Sequence, residues 1–351
     1  MDSLEKFTEL LRDKQNLEDD QIRLCINLLT AEEILLQEKE DFLLSLATKG
    51  ETADETASFI NCFRELARNP ELQEYSDHAI DLCGTGGDRA GSFNISTFVS
   101  FILASADVPV IKHGNRSISS KCGSADLLEA IGIPLELDIE QINESLKQLS
   151  FTFLFAPSFH PAFKHIAPVR KELARKGIIT IFNVLGPLIN PARPGFQVLG
   201  VYAKELVSRI GNSLKQTGIK RGSVVHGCVD NHPTITGVDE LTSSGQNIVC
   251  SFGQGKGISN ESWGPEKFGL EYSKVSDIKG GNLKRNLELM NLLLIDRAPK
   301  GLMSSVLMNA ALAFMTIGKT NNLQEGVGLA KQLLKDGEVK KWLDRVRTFY
   351  S

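Results

Sequence analysis

The amino-acid sequence predicts an α/β protein in which a helical N-terminal region precedes a larger region built on a mostly parallel central sheet. Three observations support this fold class. The chain has 351 residues, which is enough to bury a large core and suggests two domains. Apolar residues such as Leu4, Phe7 and Leu11 recur at helical spacing in the first part of the chain. From about Asp77, short apolar runs alternate with helix-length segments.

Short helices are predicted for the N-terminal region by their start and stop signals. Thr30 and Glu33 have the spacing of a capping box, and so do Thr52 and Glu55. In a capping box the two side chains satisfy free N–H groups at the start of a helix. We therefore expect helices to begin at Thr30 and at Thr52. We also expect Gly50 to end the helix between them, since glycine tolerates the left-handed conformation found there.

Buried strands are predicted by six short apolar runs in the second region. The runs occupy residues 79–83, 108–111, 151–155, 178–182, 198–202 and 223–226. Runs of this length, separated by helix-length segments, are typical of parallel strands joined by helical crossovers. The chain is predicted to be helical again from Asn282, and residues 302–317 are apolar enough to pack against the sheet.

The composition argues against several classes of partner. A formal net charge of −4 disfavours nucleic acid or an anionic membrane surface as the main partner. No apolar stretch approaches a membrane span, and the charged N-terminus lacks the apolar core of a signal peptide. The 6 cysteines are widely spaced and contain no CxxC pair, which is typical of thiols in a reducing compartment. We therefore expect a cytoplasmic protein that binds neither nucleic acid nor membrane.

Two polar loops carry most of the functional information. The first reads Gly84-Thr85-Gly86-Gly87-Asp88 and continues to residue 97, and the second runs from Lys112 to Asp126. Each loop follows an apolar run and leads into a helix-like segment, and ligands of parallel α/β sheets gather at that edge. Glycines let the backbone approach an anion, and the N–H groups that open a helix attract negative charge. The loops therefore predict an enzyme that binds a phosphorylated sugar.

These loops belong to an ordered series of motifs that resembles the anthranilate phosphoribosyltransferase family along nearly the whole chain. The other matching motifs are Lys49-Gly50-Glu51-Thr52, Phe155-Ala156-Pro157, Phe159-His160-Pro161-Ala162, Pro168-Val169-Arg170-Lys171-Glu172-Leu173, Thr180-Ile181-Phe182-Asn183, Leu185-Gly186-Pro187-Leu188, Asn190-Pro191-Ala192, Val225-His226-Gly227 and Val238-Asp239-Glu240-Leu241. A lone glycine-rich loop is weak evidence, whereas a series of this length in this order is specific.

The resemblance implies a fold and an activity. The fold is a small helical domain, residues 1–74 joined by helices from about 158–190, beside a larger α/β domain, residues 75–351, of the nucleoside phosphorylase and phosphoribosyltransferase type. The active site is then in the cleft, and the helical part forms a homodimer. The implied activity transfers phosphoribose from 5-phosphoribosyl 1-diphosphate (PRPP) to the amino group of anthranilate, with Mg²⁺, in tryptophan biosynthesis. No residue is assigned as a catalytic nucleophile or base.

The same resemblance assigns most PRPP contacts to the two loops. A tight turn that merely needs positive φ is the simpler interpretation of the first loop, but isolated turns seldom carry so many hydrogen-bonding side chains in order. Solvated cations are the simpler interpretation of Lys112 and Arg116, yet both stand among serines directly after a strand. The implied PRPP-binding residues are Gly84, Gly87, Asp88, Ser92, Asn94, Ile95, Ser96, Thr97, Lys112, Arg116, Ser117, Ser119, Ser120 and Ser124.

Anthranilate and the metal take a smaller set of residues. By resemblance Arg170 binds the anthranilate carboxylate, which a guanidinium grips in bidentate fashion, and Gly84, Asn115 and His113 lie nearby. Outside this context Arg170 would be a surface charge and His113 a structural histidine. Asp239 and Glu240 would ordinarily form a solvated acidic turn. Next to a diphosphate, however, adjacent carboxylates require a cation, so both are expected Mg²⁺ ligands, and the resemblance implies Ser96 as a further ligand.

Three alternatives and three departures from the family pattern remain. The alternatives are a pyrimidine nucleoside phosphorylase, a related protein that binds nucleic acid, and an interaction module with a decayed site. Asn115 and the acidic pair argue against the first, the net charge against the second, and the intact motifs against the third. The departures are Arg89 in place of a glycine, the added residues 174–176, and a longer segment at 228–236, which we interpret as a surface loop rather than a zinc site.

Overall fold

A computed structural model describes residues 3–116, 121–229, 232–253 and 256–351. The helices are α1 (Leu4–Arg12), α2 (Asp19–Thr30), α3 (Leu36–Lys49), α4 (Ala53–Glu65), α5 (Gln73–Ser76), α6 (Ile95–Ser105), α7 (Ser124–Ala130), α8 (Ile139–Leu149), α9 (Ala156–Phe159), α10 (Ala167–Arg175), α11 (Phe182–Leu185), α12 (Glu205–Gln216), α13 (Leu283–Leu294), α14 (Lys300–Ile317), α15 (Leu323–Lys335) and α16 (Glu338–Phe349). The strands are β1 (Ile80–Gly84), β2 (Val110–Gly114), β3 (Phe151–Phe155), β4 (Phe196–Gly200), β5 (Arg221–Cys228), β6 (Gly237–Val238), β7 (Asn247–Gly253) and β8 (Lys256–Trp263).

All eight strands form one sheet, in the order β3-β2-β1-β4-β5-β7-β8, with β6 paired to β5. The first five strands along the chain run parallel, whereas β6, β7 and β8 join antiparallel to their neighbours. The expectation of a mostly parallel sheet is therefore confirmed. Since parallel strands end at the same edge, the carboxyl ends of β1, β2 and β4 lie side by side there.

Each face of the sheet is covered by its own set of helices. On one face α6, α14 and α16 pack together, and Phe101 of α6 stacks on Trp342 of α16 with ring centroids 5.2 Å apart. The expectation that no stretch approaches a membrane span is wrong for α14, which is long and apolar enough to cross a membrane by length and composition, but 72% of it is buried, as in a core helix. On the other face, apolar side chains of α1–α4 form one cluster with residues 166–189 and α12.

Most helix and strand predictions are confirmed, and two are wrong. Thr52 and Glu55 form a capping box at the start of α4, and Gly50 ends α3 with a φ of 85°. Thr30, however, ends α2 instead of starting a helix, because its hydroxyl donates back to the carbonyl of Ile26. Residues 178–182 form no strand either. There the Asn183 side chain accepts a hydrogen bond from the N–H of Thr180, and the chain turns into α11.

Candidate active site

The acidic segment lies directly on the carboxyl ends of β1 and β4. Gly84 ends β1 opposite Gly200, which ends β4. A Cβ atom at Gly84 would overlap the carboxylate of Asp239, and one at Gly200 would overlap the carbonyl oxygen of the same residue. Both positions therefore require glycine, and the reason is close backbone approach. The sheet brings together two motifs that are about 150 residues apart in sequence, as the separation of 153 between Gly86 and Asp239 shows.

Hydrogen bonds tie the acidic pair to the first loop. The Asp239 carboxylate accepts from the N–H of Gly86 at 2.7 Å, and the Glu240 carboxylate accepts from the N–H of Ser96 at 2.9 Å. Asp88 accepts from the N–H of Asp239 at 3.4 Å. Since Ser96 lies in the first turn of α6, Glu240 occupies a helix N-terminus, where the free N–H groups stabilise negative charge.

Burial and mutual repulsion shift the titration of these carboxyls. Burial raises the pKa of Asp239 well above its ordinary value, and the neighbouring charges of Asp88 and Glu240 raise it further. Burial also raises the pKa of Glu240 to about 7, against the opposing effects of the Ser96 N–H and Lys112. Within the described chain these carboxyls are thus crowded together, and the buried Lys112 balances only part of their charge. A cation placed between them would relieve this repulsion.

The oxygen atoms of these side chains suit a magnesium ion that takes its remaining ligands from a bound substrate and from water. Asp239, Glu240, Asp88 and the Ser96 hydroxyl are hard oxygen donors, which Mg²⁺ prefers. Across the described residues, no group of three or more His, Cys, Asp or Glu side chains has the geometry to chelate a metal alone. The two observations agree if the ion takes its remaining ligands from water and phosphate, as Mg²⁺ commonly does.

Lys112 lies beneath the first loop, at the core of the site. It is 2% exposed, its ammonium donates to the carbonyl of Leu82, and its Nζ lies 3.4 Å from the hydroxyl of Ser96. Burial lowers the pKa of Lys112, while Asp81 and Glu240 oppose this shift. The structure therefore places this cation against Ser96, one of the expected metal ligands. Its direct contact with diphosphate stays a prediction.

The rest of the first loop surrounds the start of α6. Ile95 and Thr97 are buried, and the Thr97 hydroxyl has no hydrogen-bond partner within the described chain. Asn94 precedes the helix and donates to the carbonyl of Cys122, at 3.3 Å, which connects the first loop to the second. Gly87 has a φ of 85°, and Ser92 forms an isolated bridge with Lys279.

The second loop is described only in part. Asn115 follows β2, and its side chain accepts from the N–H of Arg116 at 2.7 Å. Arg116 is ion-paired with Asp126 at 3.0 Å and with Glu129 at 2.9 Å, both on α7. Ser124 opens α7 and donates to the carbonyl of Asn115 at 3.5 Å. Ser117, Ser119 and Ser120 lie outside the described residues, so their predicted contacts are not located.

A row of rings connects the end of β2 to α10. His113 of β2 is buried, and its Nε2 lies 3.2 Å from Nε2 of His160. Burial lowers the pKa of His113 well below its ordinary value and lowers that of His160 to about 4, so both imidazoles are neutral. The His160 ring lies 5.7 Å from the ring of Phe163, which lies 5.8 Å from the guanidinium of Arg170.

Arg170 ends this row and has no acidic partner in the described chain. Its guanidinium lies near the rings of Phe163 and Phe182, at 5.8 Å and 5.5 Å, and donates to the carbonyl of Phe182 at 3.4 Å. Burial lowers the pKa of Arg170. A partly buried guanidinium that lacks a carboxylate is costly unless a ligand supplies one. Arg170 therefore lies on α10 and is partly buried, unlike the surface charge that its sequence context alone would suggest.

Some residues around the site were missed or misjudged from the sequence. Asn309 of α14 hydrogen-bonds the peptide that follows Glu240, and its only signal in sequence is a lone amide within an apolar helix. Arg89 has a φ of 59°, which explains why glycine suits that position. Of segment 228–236, residues 230 and 231 lie outside the described residues, Cys228 ends β5, and His232 accepts from backbone N–H groups of Thr234 and Ile235, so the surface-loop interpretation of the whole segment stays a prediction.

Family models match both parts of the chain. A model described as the helical bundle domain of a glycosyl transferase family matches residues 5–67, and one described as the a/b domain of that family matches residues 76–340. Anthranilate phosphoribosyltransferase of Petrotoga mobilis is 39% identical to this chain, over 95% of this chain and 93% of that protein. The anthranilate phosphoribosyltransferase of Persephonella marina is 36% identical, over 99% of this chain and 98% of that protein.

Solved structures share the fold. The crystal structure of anthranilate phosphoribosyltransferase from Thermus thermophilus superimposes with a TM-score of 0.86 at 38% identity, covering 98% of each chain. The Saccharomyces cerevisiae enzyme in complex with PRPP and Mg has a TM-score of 0.81 at 24% identity, covering 99% of this chain and 97% of that one. At that identity the yeast structure shows a common fold.

Proposed function

The chain belongs to the anthranilate phosphoribosyltransferase family, and we propose that it transfers the phosphoribosyl group of PRPP to the amino group of anthranilate in tryptophan biosynthesis. The observation that carries this proposal is the attachment of Asp239 and Glu240 to the N–H groups of Gly86 and Ser96. Two buried carboxylates on a phosphate-type loop suit a substrate that arrives with a divalent cation.

We assign the diphosphate and ribose phosphate of PRPP to the two loops. The N–H groups of Thr85, Gly86 and Ser96 already bond to Gly200, Asp239 and Glu240, so we assign phosphate oxygens to the other N–H groups of the first loop and of the first turn of α6. The unpartnered hydroxyl of Thr97 supports a polar ligand nearby, because buried hydroxyls are normally paired. The other proposed PRPP contacts are Ser92, Asn94, Ile95, Ser96, Lys112, Arg116, Ser117, Ser119, Ser120 and Ser124.

We propose that Ser96, Asp239 and Glu240 hold Mg²⁺ against the diphosphate. When bound there, the ion would neutralise charge on the leaving group. The Saccharomyces cerevisiae structure in complex with PRPP and Mg supports the use of the metal with this substrate. The chain's own contribution is to hold the two carboxylates in place through the N–H groups of Gly86 and Ser96.

At the other end, Arg170 is proposed to bind the carboxylate of anthranilate. Its lack of an acidic partner in the described chain and its place between two phenylalanine rings suit an aromatic acid. Asn115, His113 and Gly84 are proposed to lie beside the same substrate. Both imidazoles of the His113–His160 pair are neutral, so the row of rings adds no charge that would compete with Arg170.

The reaction is a displacement at the anomeric carbon of the ribose. The C–O bond to diphosphate breaks as the ring oxygen donates electrons, so that diphosphate leaves. The anthranilate nitrogen forms the new C–N bond, and the acidic ammonium that results gives its proton to water. An aromatic amine is neutral at pH 7, so no strong base is needed before attack. Catalysis therefore rests on positioning and on charge stabilisation of the leaving group, and no residue acts as a nucleophile.

We also propose that the protein is a cytoplasmic homodimer formed through its helical domain, with the domain boundary at residue 74. The large apolar side chains Leu24, Leu35, Leu36 and Leu44 are exposed on α2, on α3 and just before it, which supports an interface there. All 6 cysteines are thiols without disulfide bonds, which supports a reducing compartment.

The experiment that tests the activity is loss of anthranilate fluorescence in the presence of purified protein, PRPP and Mg²⁺. We expect the signal to fall steadily with all components present and to stay constant when EDTA removes the metal. A parallel assay with pyrimidine nucleosides and phosphate should give no phosphorolysis. Constant fluorescence with active phosphorolysis would replace the proposal by the nucleoside phosphorylase alternative.

A further inference from the structure

One buried amide of α14 holds the backbone directly after the acidic pair. Asn309 is 3% exposed, its Oδ1 accepts from the N–H of Leu241 at 3.1 Å, and its Nδ2 donates to the carbonyl of Leu241 at 2.8 Å. The same Nδ2 donates to the carbonyl of Ser305 at 2.8 Å. This pairing needs one side chain that accepts from the N–H and donates to the carbonyl of the same residue. The amide of Asn does both, whereas an ionised Asp can only accept and Leu can do neither.

A second residue of the same helix extends this attachment. The hydroxyl of Ser305, one turn before Asn309, accepts from the N–H of Ser243 at 3.3 Å. The Ser243 hydroxyl also donates to the carbonyl of Gly301 at 3.3 Å, so three residues of α14 hold residues 241–243, and the pairing with Asn309 is the one that adjoins Glu240. Because α14 is a core helix packed against the sheet, it provides a fixed reference for the acidic segment.

Asn309 and Glu240 also line the same small cavity. A cavity of about 10 Å³ lies between Leu82, Cys83, Ser96, Glu240 and Asn309. A volume of this order holds roughly one water molecule. The carboxylate of Glu240 thus has little room, and a shift of its backbone would move it relative to the N–H of Ser96, which it meets at 2.9 Å.

We propose that Asn309 is a positioning residue that orients the carboxylate of Glu240 and thereby determines the affinity for the Mg²⁺ that accompanies PRPP. This inference rests on the proposed function, because it assigns Glu240 to the metal. Residues that orient a metal ligand without touching the metal affect metal affinity by roughly 10–100-fold in proteins. A purely structural Asn309, which only satisfies a buried peptide group, would instead affect stability and leave metal affinity unchanged.

The test measures PRPP binding by calorimetry at increasing Mg²⁺, without anthranilate. For the wild-type protein we expect PRPP affinity to rise with Mg²⁺ to a plateau. In Asn309→Ala the Mg²⁺ concentration that gives half of this rise should increase about 10-fold, and high Mg²⁺ should restore the plateau. Ser305→Ala should give a smaller shift in the same direction, and it provides a milder variant if Asn309→Ala folds poorly.

The matched control is Thr316→Val on the same helix. Thr316 is 3% exposed, and its hydroxyl bonds only within the helix, to the carbonyl of Leu312. It should lose some stability and keep the wild-type Mg²⁺ response. Equal Mg²⁺ midpoints in wild type, Asn309→Ala and Ser305→Ala overturn the inference. If the PRPP affinity of the wild-type protein does not change with Mg²⁺, the metal assignment itself is wrong. This result differs from the one that overturns the role of Asn309 alone.

Discussion

The two ends of the site balance charge in opposite ways. At the phosphate end, Asp239 and Glu240 are buried beside Asp88, and no cationic side chain forms an ion pair with the acidic pair in the described chain. Instead, backbone N–H groups of Gly86 and Ser96 hold them. At the other end Arg170 stands between aromatic rings without a carboxylate. Within the described chain, the phosphate end therefore has more carboxylates than the buried Lys112 can balance, and the other end lacks an anion.

This difference indicates what each end binds and how sensitive it is to substitution. A site with an excess of carboxylates suits a diphosphate carrying Mg²⁺, and a lone guanidinium suits an aromatic carboxylate. The phosphate end is built largely from backbone groups and the helix α6, so its geometry is distributed over many residues. The other end depends on one side chain. Substitutions at the two ends should then affect different substrates.

The largest effect is expected from removing the acidic pair. Replacing both Asp239 and Glu240 by Ala should reduce turnover by at least ~10²-fold, a loss of about 3 kcal/mol of transition-state stabilisation, because the metal loses its protein carboxylates. Steady-state kinetics at saturating Mg²⁺ measure this. The isosteric Asp239→Asn, Glu240→Gln pair should show a comparable defect. Near-wild-type turnover in both pairs would show that the metal binds elsewhere.

Removing Arg170 should affect the other substrate alone. Arg170→Ala should raise the anthranilate KM by roughly 10–100-fold, as expected from losing a charge-assisted bond of about 1.5–3 kcal/mol, and it should spare the PRPP KM. Arg175→Ala is the control, since Arg175 lies on the same helix, 76% exposed in its side chain, and pairs with Glu172. A rise in the PRPP KM instead would move Arg170 to the phosphate end.

The crowded carboxylates should also make metal-free protein less stable at high pH. A carboxyl whose pKa rises on folding holds its proton more tightly in the folded state, so stability falls as pH rises from its unfolded pKa, about 4.3, towards the folded pKa. For Glu240 the folded pKa is about 7. Glu240→Gln should therefore stabilise the metal-free protein by about 1–3 kcal/mol at pH 8, and by little at pH 4.

Denaturant unfolding in EDTA at the two pH values measures this gain. Glu271→Gln serves as the control, because the Glu271 side chain is 90% exposed and should give no pH-dependent difference. Equal stability of Glu240→Gln and wild type at pH 8 would contradict the description of the phosphate end as electrostatically crowded.

The smallest effect is expected at Arg89. A non-glycine residue at a φ of 59° is strained by on the order of 1 kcal/mol, and Arg89→Gly removes this strain. Glycine also makes the unfolded chain more flexible, which destabilises the folded protein, and we expect the two effects to offset each other. Thermal unfolding should give a change within about 1 kcal/mol, with a PRPP KM within roughly threefold of wild type. A large rise in the PRPP KM would add Arg89 to the phosphate end.

The sequence predicts the parts of the site that depend on local chemistry. Apolar runs followed by glycine-rich loops place both loops at the ends of β1 and β2, because period and turn chemistry are local properties. The capping box at Thr52 is found for the same reason. The one at Thr30 is wrong because a threonine at the end of a helix can bond back to its own helix, a choice that spacing does not decide.

Contacts between distant residues were beyond local reasoning. The pairing of Asn309 with Leu241 joins positions 68 residues apart, and the contact of Glu240 with Ser96 spans 144. The antiparallel strands β7 and β8 were also missed, since antiparallel strands with one partly exposed face give a weaker apolar signal than a buried parallel strand. Lys112 appeared to be a loop cation, whereas the fold buries it against Ser96.

The central claim is that the two ends bind different substrates through opposite charges, and calorimetry on two variants tests it most directly. Each of Glu240→Gln and Arg170→Ala is titrated with PRPP in Mg²⁺ and, separately, with anthranilate in the presence of PRPP at saturating concentration. We expect Glu240→Gln to lose the Mg²⁺-dependent part of its PRPP affinity. Once it is saturated with PRPP, it should bind anthranilate with the affinity of the wild-type protein. Arg170→Ala should bind PRPP normally and lose anthranilate affinity by roughly 10–100-fold. Two variants with the same defect for both ligands would contradict the claim.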